Sequence, residues 1–503
     1  MIITQQLDAF LRKYSVGIQV GLLLVAVYFL SLDITRPLAN YDEATYAKVA
    51  VDTLTSGDMW SFTLSGSAWY EKPPLYLWLA MGSIKLFGVH EFAFRIPSIL
   101  ASLVCLWLTY VIVRRLTGSE LASIYAFLIL LSAPLFYYNA KEVRLDSSVI
   151  AAILAAFWYW LKGLQNEKYL LVVFPLAAVG FLFKSIIVLL LGPILLIYSL
   201  LYRRWAWSTN IYLWMGALVA ACLLVPWHVV QWSRFGNNFI DRYFWFDVYS
   251  RATTTVTGGS NHTYFFTYLW VYSPLWAGAL IGAIALFLYI SCIQDVRVSF
   301  EWKSLAASFC VMLLILVLFS AAGTHLSPYL LPAYPYMAIF VGLLVHTISK
   351  SFGKYSYVPF FIVSLLVTSG AYYSSSQTYA AVLQDVPDEA AIGRLFKEQH
   401  INSAPLYSLD WKILETINYY SGTKTQPLNA VDMSGKELKG PLYLVTTIPG
   451  ASYFFSVKNG TFDSKNGVLI STYPNLHTVY FGSNLVLLYF DSDIRLPEFV
   501  VRQ

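Results

Sequence analysis

Charged residues are scarce in this chain of 503 residues. Asp, Glu, Lys and Arg make up 12% of it, whereas hydrophobic residues make up 58% and the mean hydropathy is +0.59. Soluble domains carry about 25% charged residues, so the chain has too little charge to cover a water-facing surface. The composition therefore argues against a soluble protein and predicts an integral membrane protein whose apolar surface faces lipid.

Cysteines and nucleic-acid motifs are also scarce. The four cysteines lie in or beside apolar stretches and form no CxxC pair, so we expect free thiols and no disulfide framework. The formal net charge of +5 comes without a basic patch or recognition motif, which argues against a nucleic-acid partner. There are no repeats and no cleavable signal pattern, and the first apolar stretch, Val16–Leu32, is interpreted as a signal anchor.

The chain instead contains a series of apolar runs long enough to cross a bilayer, which takes about 20 residues. About 11 runs qualify as transmembrane helices by this criterion. They are Val16–Leu32, Ile96–Val113, Leu121–Tyr138, Ser147–Leu161, Tyr169–Phe183, Ser185–Tyr202, Tyr212–Val230, Tyr264–Ile290, Leu305–Ala322, Pro328–Val345 and Tyr357–Tyr373. The run Leu75–Phe87 is too short to span and predicts an interfacial or re-entrant helix.

Basic residues occur in alternate connections between these runs, which is typical of cytoplasmic loops. They are Arg12, Lys13, Arg114, Arg115, Lys162, Lys168, Arg203, Arg204, Arg297, Lys303, Lys350 and Lys354. We therefore predict a multi-pass protein of the cytoplasmic membrane, with the N-terminus in the cytoplasm. An odd number of spans then places the C-terminus outside.

The predicted fold class is an all-α multi-pass membrane bundle with a small C-terminal α/β extracytoplasmic domain. Residues 1–375 form the transmembrane domain, whose extracytoplasmic loop 33–95 carries the candidate active site, and residues 376–503 form the soluble domain. In the soluble domain, apolar spacing predicts a helix after Pro387 and another that stops at Gly422. Strands are predicted at Pro405–Leu409, Pro441–Thr447 and Leu485–Phe490.

An acidic pair opens the loop that follows the first span. Asp42 and Glu43 precede apolar residues at helical spacing, so the pair lies at the start of a helix. One interpretation is structural, with Asp42 capping the helix and Glu43 interacting favourably with its dipole. The other is functional, with the pair supplying a general base at the mouth of a cavity.

The same loop contains Glu71 and Lys72, followed by two prolines and an apolar helix. The prolines fix the direction of the chain where the helix begins. A lysine beside a helix start suits an anion, but it equally suits an interfacial lysine that extends toward lipid headgroups.

Further ionisable residues occur on the same predicted outer face. Asp146 precedes the fourth span and Lys184 lies between the fifth and sixth. Ionisable residues beside spans are functional candidates, and a random scatter would not favour one side. Later outside segments, which are rich in aromatic residues, add Arg251, His262, His325 and Tyr329. The aromatic residues suit either the interfacial belt or sugar stacking, and a lone histidine is more often structural.

Four sequence blocks resemble the lipid-linked-sugar glycosyltransferases of the GT-C fold, and they occur in the right order. The blocks are DEATYAK at 42–48, YEKPPLYLWL at 70–79, RLD at 144–146 and HLSPYLLPAYP at 325–335, and the stretch GFLFKS around Lys184 agrees with them. Within this fold the chain is most similar to the bacterial aminoarabinose transferases, which modify lipid A, and to protein O-mannosyltransferases. The resemblance covers roughly residues 30–345.

This resemblance implies an enzyme that moves a sugar from a polyprenyl phosphate, such as undecaprenyl phosphate, to an acceptor hydroxyl with inversion. The leaving group is already an anion, so one base and cations for the phosphate suffice, unlike the carboxylate pair of most glycoside hydrolases. By resemblance Asp42 is the catalytic base, with Glu43 beside it. Donor and phosphate binding is assigned to Lys72, Lys184, Arg251, His325 and Tyr329.

The resemblance also implies a metal or polar site. Glu71 and Asp146 match positions that build such a site in the aminoarabinose transferases. Those enzymes supply a metal-binding histidine where this chain has Val248. A divalent metal would therefore need His262 as a third ligand.

Two further positions depart from the family pattern. Thr45 stands where the family often has an arginine, and His325 where relatives often carry a lysine. These departures predict a changed sugar or acceptor, and the acceptor is open among a lipid, a protein and a glycan.

A transporter or flippase of lipid-linked sugars is the alternative function. Transporters place ionisable groups near the bilayer midplane and show repeated halves, whereas this chain places its ionisable groups at one face and has no internal repeat. A structural or assembly protein, the third alternative, would leave the acidic pair and the Lys-Pro-Pro segment unexplained.

Overall fold

A computed structural model describes residues 2–38, 41–255, 261–293, 300–351, 367 and 388–399. It also describes 401, 404–408, 413–422, 424–427, 437–447, 461–463, 468–470, 476–481, 484–491 and 494–495. Two compact units result. The first comprises Met1–Ile34, Asp58–Phe62 and Ala68–Ala381, and the second comprises Thr35–Gly57, Thr63–Ser67 and Val382–Gln503. The predicted division between residues 375 and 376 stays a prediction.

Helices dominate the chain as far as residue 351. The α-helices are α1 (Ile2–Lys13), α2 (Ser15–Ser31), α3 (Tyr41–Ser56), α4 (Leu75–Phe87), α5 (Glu91–Thr117), α6 (Glu120–Ser132), α7 (Pro134–Ala140), α8 (Asp146–Gly163), α9 (Val173–Lys184), α10 (Leu191–Tyr202), α11 (Ile211–Phe235), α12 (Asn237–Ile240), α13 (Arg251–Thr253), α14 (Tyr264–Tyr272), α15 (Pro274–Ile293), α16 (Phe300–Ala321) and α17 (Ala333–Ser351). Short 3₁₀ helices cover Glu167–Val172, Ser185–Leu190, Ala206–Thr209 and Ser327–Leu330, and a π-helix covers Asp241–Ser250. Strands β1 (Phe62–Leu64) and β2 (Ser67–Trp69) form a hairpin, and α3 belongs to the second unit.

Several of these helices have the length and hydropathy of membrane spans. Six described helical segments qualify, or up to eight if each of two bent pairs is one span. The predicted helix Leu75–Phe87 is confirmed as α4, with 13 residues. The count of 11 spans stays a prediction, and apart from Val367 the predicted span Tyr357–Tyr373 lies outside the described residues.

Two predicted spans are broken in the structure. The predicted span Tyr264–Ile290 divides at Ser273 into α14 and α15, which begins at Pro274. The sequence predicts a single helix over residues 121–138, but α6 ends at Ser132 and α7 begins at Pro134 with a bend of 71°. Proline supplies no N–H and is therefore favoured in the first turn of a new helix. The start of α6 is capped by the Ser119 hydroxyl, which accepts the Ala122 N–H at 3.2 Å.

Helix α2 runs antiparallel to α5 and helix α8 runs parallel to it, because contacts tie both ends of each pair. Arg95, near the start of α5, donates to the Ile34 carbonyl just after α2, whereas Arg114, near the end of α5, donates to the Ser15 hydroxyl where α2 begins. In the pair of α5 and α8, Ser102 donates to Ser147 at the start of α8, and Arg115 donates to the Leu161 carbonyl near its end. One end of the bundle is where α5 and its neighbour α4 begin, and we call it the site end. The opposite end, where α5 ends, is called the far end.

The second unit combines α3 with a small sheet and two helices, α18 (Asp388–Glu398) and α19 (Leu414–Ser421). The remaining strands are β3 (Leu406–Ser408), β4 (Gln426–Pro427), β5 (Glu437–Leu438), β6 (Leu442–Thr447), β7 (Thr461–Asp463), β8 (Val468–Ile470), β9 (Leu476–Phe481), β10 (Leu485–Phe490) and β11 (Ile494–Arg495). Five strands form a sheet in the order β4-β3-β6-β10-β9, with β3 parallel to β4 and β6 and with β10 antiparallel to β6 and β9. This confirms a small C-terminal α/β fold, including the helix stop at Gly422.

Helix α3 packs on α19 within this unit. The Tyr420 hydroxyl accepts the Leu38 N–H at 2.8 Å, and Leu38 is fully buried. The buried apolar cluster of the unit includes Ile392, Ile417 and Leu487. The chain just before α3 is therefore held by a side chain of the C-terminal segment.

Candidate active site

The predicted base lies in the first turn of α3. Asp42 is half-buried, whereas Glu43 has no exposed surface. A base must reach the acceptor, so Asp42 fits the predicted role better than Glu43 does. The hydroxyl of the neighbouring Thr45 donates to the Tyr41 carbonyl at 2.6 Å, so this hydroxyl proton is engaged within the helix.

Lys72 and Arg251, both predicted to bind phosphate, meet at one carboxylate. The Lys72 Nζ lies 2.6 Å from Oδ2 of Asp247, and the Arg251 Nε lies 3.1 Å from Oδ1 of the same residue. The Asp247 side chain is 8% exposed, against 18% for Lys72 and 25% for Arg251. The two cations therefore lie together and remain partly accessible.

Two more ion pairs involve predicted residues of the site end. Lys184 pairs with Asp146, whose side chain is 3% exposed. Glu71 accepts hydrogen bonds from the guanidinium of Arg242, with the Nε at 3.1 Å. Each of these carboxylates therefore faces a cation.

The π-helix Asp241–Ser250 connects these groups. Its Arg242 reaches Glu71, its Asp247 reaches Lys72, and the hydroxyl of its Tyr243 accepts from Ser185, which follows Lys184, at 3.0 Å. Burial raises the pKa of the Tyr243 hydroxyl, which keeps it protonated. π-helical turns are rare and often occur at functional sites.

The backbone at Ser185 is unusual. Ser185 has φ 47° and ψ −128°, a conformation that glycine adopts easily and L-residues rarely do. It separates α9, which ends at Lys184, from the 3₁₀ helix Ser185–Leu190. Strain of this kind persists only where surrounding contacts hold it, and the hydrogen bond to Tyr243 is one such contact.

The segment before His325 contacts the backbone of Arg251, since the Thr324 N–H donates to the Arg251 carbonyl at 3.1 Å. His325 is fully buried, with its Nε2 3.1 Å from the Ser320 carbonyl and its ring 5.7 Å from that of His262. Tyr329 packs against Phe319 with ring centroids 5.6 Å apart. Their predicted role in donor binding stays a prediction.

The predicted metal ligands do not converge. Among the residues that the structure describes, no group of three or more His, Cys, Asp and Glu side chains is arranged to hold a metal ion. Glu71 pairs with Arg242, Asp146 pairs with Lys184, and the Nδ1 of His262 lies 2.6 Å from the Ser320 carbonyl. The donor set therefore does not fit a metal in this conformation, and a metal requirement stays a prediction.

The structure thus brings some predicted residues together. Lys72 and Arg251 share Asp247, and the π-helix connects this group to Glu71 and to the segment of Lys184. Asp42 and Glu43 belong to the second unit, whereas the other predicted site residues belong to the first.

Sequence reasoning missed Arg242, Tyr243 and Asp247 as members of the site. Asp247 and Arg251 are four residues apart, a spacing that favours an ion pair on a helix, and this signal was available. The partners of Arg242 and Tyr243 lie far away along the chain, and no local pattern identifies them.

Comparison with known proteins agrees with the resemblance. A family model for dolichyl-phosphate-mannose-protein mannosyltransferase matches residues 71–232. An uncharacterized protein of Aquifex aeolicus is 24% identical over 380 residues, which cover 75% of this chain and 84% of that protein. Undecaprenyl phosphate-alpha-4-amino-4-deoxy-L-arabinose arabinosyl transferases are 25% identical in Proteus mirabilis, over 65% of this chain, and 29% in Pseudomonas aeruginosa, over 61%. The chain spans 58% and 56% of the lengths of these two transferases.

Solved structures agree on the fold. ArnT from Cupriavidus metallidurans bound to undecaprenyl phosphate superposes with a TM-score of 0.68 and 18% identity, covering 94% of this chain and 97% of that one. The Archaeoglobus fulgidus oligosaccharyltransferase, tethered to an acceptor peptide, gives a TM-score of 0.53 and 11% identity, over 89% and 71%. The two relatives from Proteus mirabilis and Pseudomonas aeruginosa are named as transferases, so the flippase alternative gains no support. The predicted resemblance to the GT-C polyprenyl-phosphate-sugar glycosyltransferases is confirmed.

Proposed function

We propose that the protein is an integral membrane glycosyltransferase that moves a sugar from a polyprenyl phosphate to an acceptor hydroxyl, with inversion. The observation that carries the proposal is the group of Lys72, Asp247 and Arg251, in which two partly exposed cations lie within 3.1 Å of one carboxylate. Paired cations of this kind suit a phosphate. Resemblance assigns both cations to the donor phosphate.

The proposed step needs few groups. Asp42 takes the proton of the acceptor hydroxyl while the oxygen attacks the anomeric carbon. The bond between that carbon and the phosphate oxygen breaks, and its electron pair stays on the phosphate. Lys72 and Arg251, together with Lys184, stabilise the negative charge that develops there.

The finer features of the proposal rest on the sequence pattern. The basic connections support a cytoplasmic N-terminus, an outer active site and an extracytoplasmic C-terminal domain. Both a hexose and a pentose fit the proposal, and so do lipid, protein and glycan acceptors. The changes at Thr45 and His325 support a sugar or acceptor different from that of the aminoarabinose transferases.

The test is transfer by the purified protein in detergent. A panel of labelled undecaprenyl-phosphate sugars is incubated with membrane-lipid, protein or cell-wall acceptors, with and without divalent metal. We expect one donor to be consumed, equal amounts of undecaprenyl phosphate and glycosylated acceptor to appear, and the anomeric configuration to invert. Consumption of no donor, or retention of configuration, would contradict the proposal.

A further inference from the structure

The carboxylate of Asp247 contacts two cations that are assigned to phosphate binding. It therefore competes with a phosphate anion for these cations. Its two carboxylate oxygens contact different cations, Oδ2 meeting Lys72 and Oδ1 meeting Arg251, at 2.6 and 3.1 Å. The carboxylate is the least exposed of the three side chains. It is therefore an integral part of the cationic group and not a solvent-facing neighbour.

The charge of this group has consequences for substrate and product. The two cations and the carboxylate together carry one net positive charge. In the proposed reaction the donor is a phosphodiester with one negative charge, whereas the departing polyprenyl phosphate is a monoester with a charge of about −1.5 to −2 at pH 7. Two cations alone would therefore attract the product more strongly than the donor and slow its release.

We propose that Asp247 is a specificity-determining residue that weakens binding of the polyprenyl phosphate product relative to the donor, and so promotes product release. Its negative charge repels the extra charge that the phosphate gains when the sugar leaves. Because Asp247 also forms ion pairs with both cations, it reduces the charge that each can offer to the lipid. This inference rests on the proposed function.

The test compares two lipids that differ by one charge. Undecaprenyl phosphate is the monoester, and its methyl ester is a diester with the same chain and no sugar. The affinity of each is measured for the wild-type protein and for Asp247→Asn in detergent at pH 7.5. We expect Asp247→Asn to increase the affinity for the monoester about 10-fold more than that for the diester, and to strengthen product inhibition by a similar factor.

Controls separate charge from shape. Asp247→Glu keeps the charge and is expected to restore the wild-type ratio of the two affinities. Asp241→Asn makes the same change of net charge at an exposed position of the same π-helix and is expected to leave the ratio unchanged. Asp247→Ser removes the charge in a smaller side chain and replaces Asp247→Asn if that variant does not fold.

Each other outcome has a distinct meaning. An equal rise in both affinities would make Asp247 a general competitor, and an equal fall would make it only a positioning residue; both results overturn the inference. If the wild-type protein binds neither lipid, the proposed function fails with it. If the wild-type protein binds both lipids and Asp247→Asn leaves the ratio of the two affinities unchanged, only the inference fails.

Discussion

The two ends of the membrane bundle use carboxylates in different ways. At the far end, Asp8 accepts hydrogen bonds from the Ser119 hydroxyl at 2.9 Å and from the Leu121 N–H at 3.1 Å, so it supports the start of α6. Glu120 has no exposed surface and lies 2.8 Å from the Arg114 guanidinium. At the site end, Asp247 and its neighbouring carboxylates meet lysines and arginines from distant segments.

This difference distinguishes carboxylates that stabilise helices from carboxylates whose cationic partners are assigned to a ligand. The carboxylates of the far end bind groups within or next to the helices they support. At the site end, Asp146 and Asp247 pair with cations that resemblance assigns to the donor, and this end also includes a π-helix and the strained Ser185. We therefore expect substitutions at the far end to lower stability, and substitutions at the site end to lower transfer.

Among the substitutions that compare the two ends, the largest expected effect is on transfer, at Lys72. Lys72→Met removes one of the two cations beside Asp247, and we expect the transfer rate to fall by about 100-fold, as for the loss of one charge-stabilising group. Folding changes little, because Arg251 still neutralises Asp247. Transfer rates per folded molecule and thermal midpoints measure the two effects.

The matched control is Arg114→Met at the far end, which removes a cation from Glu120. It is expected to lower the thermal midpoint and leave the transfer rate per folded molecule unchanged. Equal losses of transfer in the two variants would remove the distinction between the ends.

Glu120→Gln tests whether a carboxylate of the far end contributes to stability. Glu120 is fully buried, accepts a hydrogen bond from Tyr110 and pairs with Arg114. Loss of its charge is expected to reduce the free energy of unfolding by about 1 to 3 kcal/mol. Thermal unfolding in detergent gives the change, and an unaltered midpoint would argue against a structural role for this pair.

Ser185 tests whether the site end contains strain. Both Ser185→Gly and Ser185→Ala lose the hydrogen bond to Tyr243, but only glycine relieves the positive φ. We expect the glycine variant to be more stable than the alanine variant by about 1 kcal/mol and both to transfer more slowly. Thermal midpoints of the two variants decide this, and an alanine variant as stable as the glycine variant would exclude the strain.

The smallest expected effect lies in the second unit and depends on pH. Burial raises the pKa of Glu415 above its ordinary value of 4.5, against an opposing hydrogen bond from Asn418. The folded state therefore binds the proton of Glu415 more tightly than the unfolded state does. The contribution of Glu415 to the free energy of unfolding is fully present below pH 4.5 and is lost as the pH rises through the raised pKa.

Glu415→Gln should therefore slow hydrogen exchange of the α19 amides at pH 8 and have little effect near pH 4. The measurement uses the intact protein. A larger effect at the acidic end would contradict the assigned cause.

Much of the helical pattern could be predicted from apolar runs, because lipid leaves no other way to satisfy the backbone. The predicted run Ser147–Leu161 lies within α8, and the break at Lys184 and Ser185 coincides with the predicted division of two spans. The break at Pro134 was missed because the run there stays apolar on both sides, although the proline signals it.

The candidate site could be predicted only in part. Lys72 and Arg251 follow from resemblance, whereas their meeting at Asp247 depends on a contact across 175 residues. Composition and periodicity carry no information about such a contact. The second unit shows the same limit, since nothing near Leu38 indicates that Tyr420 would hold it.

The most direct test of the proposed mechanism compares Asp42→Asn with the wild-type protein. The rate of sugar transfer and the affinity for undecaprenyl phosphate are measured on the same preparations. The mechanism predicts that transfer falls at least about 100-fold while the affinity stays the same. Undiminished transfer by Asp42→Asn would contradict the assignment of the base and the mechanism that depends on it.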